Sequence, residues 1–140
     1  DQVKAIAAGQ GDIAIVNSYY IGLLLSSEKE EEINAGNAVS VFFPNQGEGD
    51  RGAHINVSGI ALAKNAPNKE NAIELIKYLT SVEGQETYVN NSYEYSVNPN
   101  VKPDEIVQAW GEFKKDPVDL NMLGIKRDEA IRIFDKTGWK

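Results

Sequence analysis

The sequence predicts an α/β fold. Helical periodicity alternates with short apolar, β-branched runs, and the turns between them carry Gly, Pro and Asn. No internal repeat or low-complexity tract interrupts that alternation. With 41% hydrophobic and 25% charged residues, the chain has ordinary globular usage and apolar material for a core.

Val3, Ile6 and Ala7 share one face of a helix over 2–9, closed by Gly9-Gln10-Gly11. Asp12–Asn17 reads as a buried strand because Ile13-Ala14-Ile15-Val16 is continuous and partly β-branched. A helix is predicted from Tyr19 to about Ala35, with Tyr20, Leu23 and Leu24 on one face. Ser18 is its expected cap and Gly36 its end. Val39–Phe43 is a second strand stopped by Pro44, and Asn45–Gly52 is a loop. The third strand covers His54–Ala63, with Ile55, Val57, Ile60 and Leu62 as its apolar positions.

After the turn Asn65–Asn68, a helix buries the stripe Ala72, Ile73, Leu75, Ile76 and Leu79. Ser81 caps a further helix to about Asn90, and Tyr93–Pro99 is irregular. Pro103 and the acids after it open a helix to about Phe113. A last helix spans about 126–134. The chain opens directly on a helical pattern without a signal peptide, which reads as a fragment or a processed piece.

Composition narrows the function classes. A net charge of −7 repels phosphate backbones, so nucleic acid is not the expected partner. The absence of cysteine removes disulfides, thiolate metal sites and cysteine nucleophiles. No apolar run approaches the ~20 residues of a membrane span. One histidine, no Ser-His-Asp spacing, no nucleophile elbow, no P-loop and no dinucleotide fingerprint point to a binding protein and not an enzyme.

The candidate site is the pair Tyr19-Tyr20, at a strand-to-helix junction. Ligands of α/β folds gather beyond the carboxyl ends of strands. A helix amino terminus favours negative charge, which helps a phenol with a pKa of about 10 to ionise. Two phenolates are hard anionic oxygen donors, suited to a hard cation such as Fe(III), and metal binding drives their deprotonation. The alternative packs one ring in the core and leaves the other at the surface.

Other features read more plainly. His54 opens the third strand, and its imidazole suits Zn or Cu better than Fe(III). Glu28, Glu30, Glu31 and Glu32 form a solvated helix face. Asn45–Arg51 lacks the ligand spacing of an EF-hand. Tyr93 and Tyr95 suit rim packing, and Trp110 and Trp139 suit core or lobe packing.

The order of several segments carries a resemblance. Residues 9–24, with Gly-Asp before a strand and Asn17-Ser18-Tyr19-Tyr20 opening a helix, resemble the tyrosine-pair segment of periplasmic ferric-iron-binding proteins. These are the substrate-binding components of iron(III) ABC transporters. Asp50–Gly59, Ala66-Pro67-Asn68, Ser81–Gln85, Tyr95–Pro99 and Gly138-Trp139 follow in the family's order.

The resemblance implies the carboxy-terminal half of a two-lobed, type II-like binding protein with its ligand in the interlobe cleft. Residues 1–49 would belong to the second lobe, 50–100 to the first, and 101–140 would be a helical tail returning to the second. Tyr19 and Tyr20 carry over as iron ligands, and Asn17 as a residue that helps hold a synergistic anion. Asn17 can equally serve as a strand-end hydrogen-bonding residue. The implied partners are ferric ion, an inner-membrane ABC permease and a missing amino-terminal half that supplies further ligands. The implied location is the periplasm, or the extracytoplasmic face if lipid-anchored. Polyamines, sugars and phosphonates are bound by the same architecture and remain the alternative ligands. A half of this kind lacks strands from both lobes and is not expected to bury a complete core alone.

Overall fold

A computed structural model describes residues 2–139. Asp1 and Lys140, the outermost residues of the first and last expected segments, lie outside the described residues. Seven helices are present among them: α1 Gln2–Ala7, α2 Tyr19–Leu25, α3 Glu30–Asn37, α4 Lys69–Thr80, α5 Val82–Ser92, α6 Glu105–Gln108 and α7 Asn121–Thr137.

The three expected strands carry no ladder among the described residues. Residues 12–16, 39–43 and 54–62 make no backbone–backbone hydrogen bond. Runs such as Ile13–Val16 encode β preference, but a strand also needs a neighbour to pair its N–H and C=O groups. These segments do not pair with one another. Their apolar side chains face out, with Ile15 83% and Phe42 66% exposed, so the buried strand read at 12–17 is corrected.

The wider surface is equally open. The accessible area is 10833 Å², against roughly 7,200 Å² for a folded monomer of this mass. The buried apolar set is small: Val3, Ile21, Ala35, Ala53, Val89, Val101 and Val107. This agrees with the expectation that the chain does not bury a complete core.

The chain divides into two units. The larger holds residues up to Phe42 together with Asn56–Glu112. Within it the helix predicted over 19–35 is two helices. Ser26 bonds back to the Gly22 carbonyl through both its N–H and its Oγ, and the Lys29 N–H bonds to Ser27 Oγ, turning the chain between α2 and α3. Ser18 has helical dihedrals and makes no side-chain cap, contrary to expectation. Gly36 is buried within α3 and does not end it; a Cβ there would lie 3.0 Å from Leu25 Cδ2, so it lets α2 and α3 approach.

Glu32 ties α3 to α1. It accepts from Ser27 Oγ at 2.6 Å and from Lys4 Nζ at 3.1 Å. The Ser27 hydroxyl, then the Lys4 ammonium, hold its carboxyl down at about 2. The stabilisation is therefore fully present above the ordinary carboxylate range and is lost as pH falls toward about 2. Glu32→Gln is expected to remove that slope. Acid titration of helicity should be flatter for Glu32→Gln than for wild type below about pH 4.5.

The corner between α4 and α5 explains the Ser81–Gln85 segment. Ser81 Oγ accepts the Gly84 N–H at 3.2 Å, the expected cap. A Cβ on Gly84 would lie 2.1 Å from the Tyr78 carbonyl oxygen, so only glycine fits. Gln85 is buried and fully used. Its Nε2 donates to the Leu79 carbonyl at 2.7 Å, and its Oε1 accepts from Ser96 Oγ at 2.9 Å and the Val97 N–H at 3.0 Å. The stripe expected to bury α4 is only half-covered, and Leu75 is 51% exposed. The helix read from Pro103 to about Phe113 is the single turn α6, capped by Asp104 and ended before Gly111, whose φ is +80°.

The smaller unit holds Phe43–Ile55 and the chain from Phe113 onward. Ala53 makes an isolated parallel bridge with Lys115, and Gln46 mimics a strand by bonding both the N–H and C=O of Lys114. Arg51 Nε pairs with Asp116 at 2.7 Å, and the Phe43 and Phe113 rings stack at 3.9 Å. Here α7 runs longer than the predicted 126–134 and ends on Gly138 at φ +67°.

Candidate functional site

Tyr19 and Tyr20 are the first two residues of α2. Tyr19 is half-buried and Tyr20 is 48% exposed. Their ring centroids lie 4.3 Å apart with planes tilted by 36°. Hydrogen bonding with Tyr20 is the leading reason that the Tyr19 phenol is held above its usual pKa, followed by partial burial and the Tyr20 charge.

Asn17 lies on the same side. The Asn17 side chain acts the other way on Tyr19, favouring its phenolate, and the Asn17 carbonyl accepts the Tyr20 N–H at 3.2 Å. Sequence reading thus placed Asn17, Tyr19 and Tyr20 as candidates, and these three come together. α2 has only two turns, so its dipole is that of a short helix and not of the five-turn helix expected.

One nearby residue was not legible beforehand. The charge of Glu94 also opposes ionisation of Tyr19. Its placement follows from a close contact: a Cβ on Gly22 would lie 2.4 Å from Tyr93 Cβ and Cγ. Tyr93 ends α5 in the left-handed region at φ 56°, ψ 31°, and its ring covers Gly22, one turn after Tyr19. The Glu94 carboxylate, next in the chain, is held by hydroxyls. Its Oε2 accepts from Tyr88 Oη at 2.6 Å, and its Oε1 accepts from Ser58 Oγ at 3.4 Å. The hydrogen bond to Glu94 in turn raises the Tyr88 phenol.

His54 is exposed, and among the described residues no cluster of three or more His, Cys, Asp or Glu could hold a metal. Among the described residues no helix is long and apolar enough to cross a membrane. At the start of α2 stand two adjacent phenols, hard oxygen donors, with the Asn17 amide two residues before Tyr19. That set suits a small, highly charged cation.

Known proteins resemble this chain along nearly its whole length. The model of the bacterial extracellular solute-binding proteins matches residues 1–115. Iron uptake protein A2 of Synechocystis sp. is 42% identical over 99% of this chain, which covers 40% of that relative. A Trichodesmium protein (IdiA, FutA) solved in complex with iron and citrate superposes with a TM-score of 0.93 at 42% identity, over 99% of this chain and 43% of its own. The ferric binding protein from Campylobacter jejuni gives 0.91 at 34% identity, over 100% and 44%. The chain spans about two fifths of the length of these relatives, in their carboxy-terminal part. The fold is thus the corresponding portion of a two-lobed, type II-like α/β binding protein, although the portion is helical and unpaired in its strand segments. The chain belongs to the bacterial extracellular solute-binding protein family.

Proposed function

We propose that the protein containing this chain binds ferric iron through the phenolates of Tyr19 and Tyr20 and delivers it to a membrane ABC permease. The observation that carries this reading is the adjacency of two tyrosine rings, 4.3 Å apart, at the start of α2. Loss of the Tyr19 proton is opposed first by hydrogen bonding with Tyr20, then by partial burial and by nearby negative charge. A trivalent cation in front of the pair reverses that cost.

Two phenolates do not complete the coordination of such an ion. The further ligands come from the amino-terminal part of the protein and from a synergistic anion. Asn17, exposed beside Tyr19, is the residue to hold that anion. The relative solved with iron and citrate supports an anion in the site. Partner strands from the rest of the protein cover segments such as Ile13–Val16. The activity is capture and release, without bond making or breaking, on the extracytoplasmic side of the membrane.

Colour is the direct test. Full-length protein loaded with ferric iron should absorb in the visible through phenolate-to-iron charge transfer. The variant carrying both Tyr19→Phe and Tyr20→Phe should be colourless at the same iron concentration. Full colour in that variant would rule the pair out as the site.

A further inference from the structure

We propose that Tyr93 positions the tyrosine pair: its ring, packed over Gly22, sets the angle at which α2 presents Tyr19 and Tyr20 to a metal ion. This rests on the ferric reading above and deepens it.

Three observations carry it. The first is backbone strain. Tyr93 closes α5 in the left-handed region, at φ 56°, ψ 31°, where helix ends ordinarily take glycine because a Cβ crowds the carbonyl. Among the described residues only Asn45 shares a positive φ without being glycine, and asparagine tolerates it. A tyrosine kept in that conformation is held there by what its side chain touches.

The second is fit. A Cβ on Gly22 would collide with Tyr93 Cβ, Cγ and Cδ1, so ring and gap match with no room to spare. The atoms that approach Gly22 belong to the body of the side chain and not to its hydroxyl. The Tyr93 N–H bonds the carbonyl of Val89, a fully buried residue, so the ring is carried by a fixed helix end. Both partners lie in the larger unit.

The third is leverage. Gly22 stands three residues after Tyr19, on the same face of α2. That helix has seven residues, and Ser18 makes no side-chain cap bond at its start. Capping therefore does not fasten the turn that carries the pair, and packing does. Leu25 meets Gly36 at the far end of α2, whereas Tyr93 meets Gly22 within one turn of the pair. Without the ring, α2 can roll about its axis. The long tyrosine side chains hold their oxygens far from that axis, so a small roll displaces both donors. Donors that must first be ordered bind an ion less well than donors already in place. Tyr93 is thus a positioning residue, where Tyr19 and Tyr20 are ligands.

The experiment loads full-length protein with ferric iron and reads two quantities: affinity by competition with citrate, and the charge-transfer maximum at saturating iron. Tyr93→Gly suits the left-handed backbone, so the end of α5 keeps its geometry while the ring is lost. It should weaken binding about tenfold or more and move the charge-transfer maximum. Tyr93→Phe keeps the ring and should recover most of the loss and the wild-type maximum. A merely structural role lowers occupancy but leaves the maximum of the bound form unchanged. An unmoved maximum in Tyr93→Gly, an affinity within twofold of wild type, or equal losses in Tyr93→Gly and Tyr93→Phe would overturn the proposal. The control is the variant carrying both Tyr19→Phe and Tyr20→Phe. If it loses iron while Tyr93→Gly behaves as wild type, only this inference falls. If it keeps iron with full colour, the ferric reading falls and this inference with it.

Discussion

Gly22→Ala is expected to destabilise the larger unit by about 3 kcal/mol or more and to weaken metal binding with it. The added Cβ would sit 2.4 Å from Tyr93 Cβ and Cγ, a distance that real contacts do not show. Tyr93 cannot yield cheaply, because its left-handed backbone is set by the end of α5 and its N–H is bonded to the Val89 carbonyl at 3.1 Å. α2 cannot yield cheaply either, because Ile21 is buried and Gly36 brings α3 against Leu25. The strain therefore separates α2 from the segment that carries Glu94. Thermal unfolding checks the stability change, and citrate competition checks the affinity. Unchanged values for both would mean that the contact with Tyr93 does not hold the pair in place.

Each single tyrosine variant should lower ferric affinity by about a hundredfold or more, since a ligand lost from a metal site removes a few kcal/mol of binding. The two losses differ in origin. Tyr19 is half-buried against Tyr20 and its ionised form is favoured by the Asn17 side chain, so Tyr19→Phe removes both a donor and the group that Asn17 acts on. Tyr20 is 48% exposed, and Tyr20→Phe removes one donor and the hydrogen bond to Tyr19. Tyr19→Phe should be the more damaging of the two, and Asn17→Ala should mimic part of its loss. Equal affinity in all three variants and wild type would detach this cluster from metal binding.

Helix starts were legible only in part: Ser81 caps as expected, whereas Ser18 does not. Ser81 and Asp104 cap as side chains of their type do, and the periodic apolar positions of α4 marked it despite its half-covered stripe. The break between α2 and α3 was missed because Ser26 and Ser27 look helical by composition while their hydroxyls bond the local backbone. Strands were legible as preference only. Ile13–Val16 announces β structure, but pairing is a property of two segments, and the partner is not among the described residues. At the site, Tyr19-Tyr20 and Asn17 stood out as residue types at a chain junction. Glu94 did not, because its relation to Tyr19 depends on Tyr93 lying over Gly22, a contact between residues 71 apart in sequence.

Phenol ionisation on metal uptake is the decisive quantity. Gallium(III), which lacks the charge-transfer band, can be titrated into the full-length protein while the near-ultraviolet tyrosinate signal is read. The account predicts that binding creates tyrosinates at neutral pH, and that Tyr19→Phe and Tyr20→Phe each remove one of them per bound ion. A tyrosinate signal of wild-type size in both variants would contradict it.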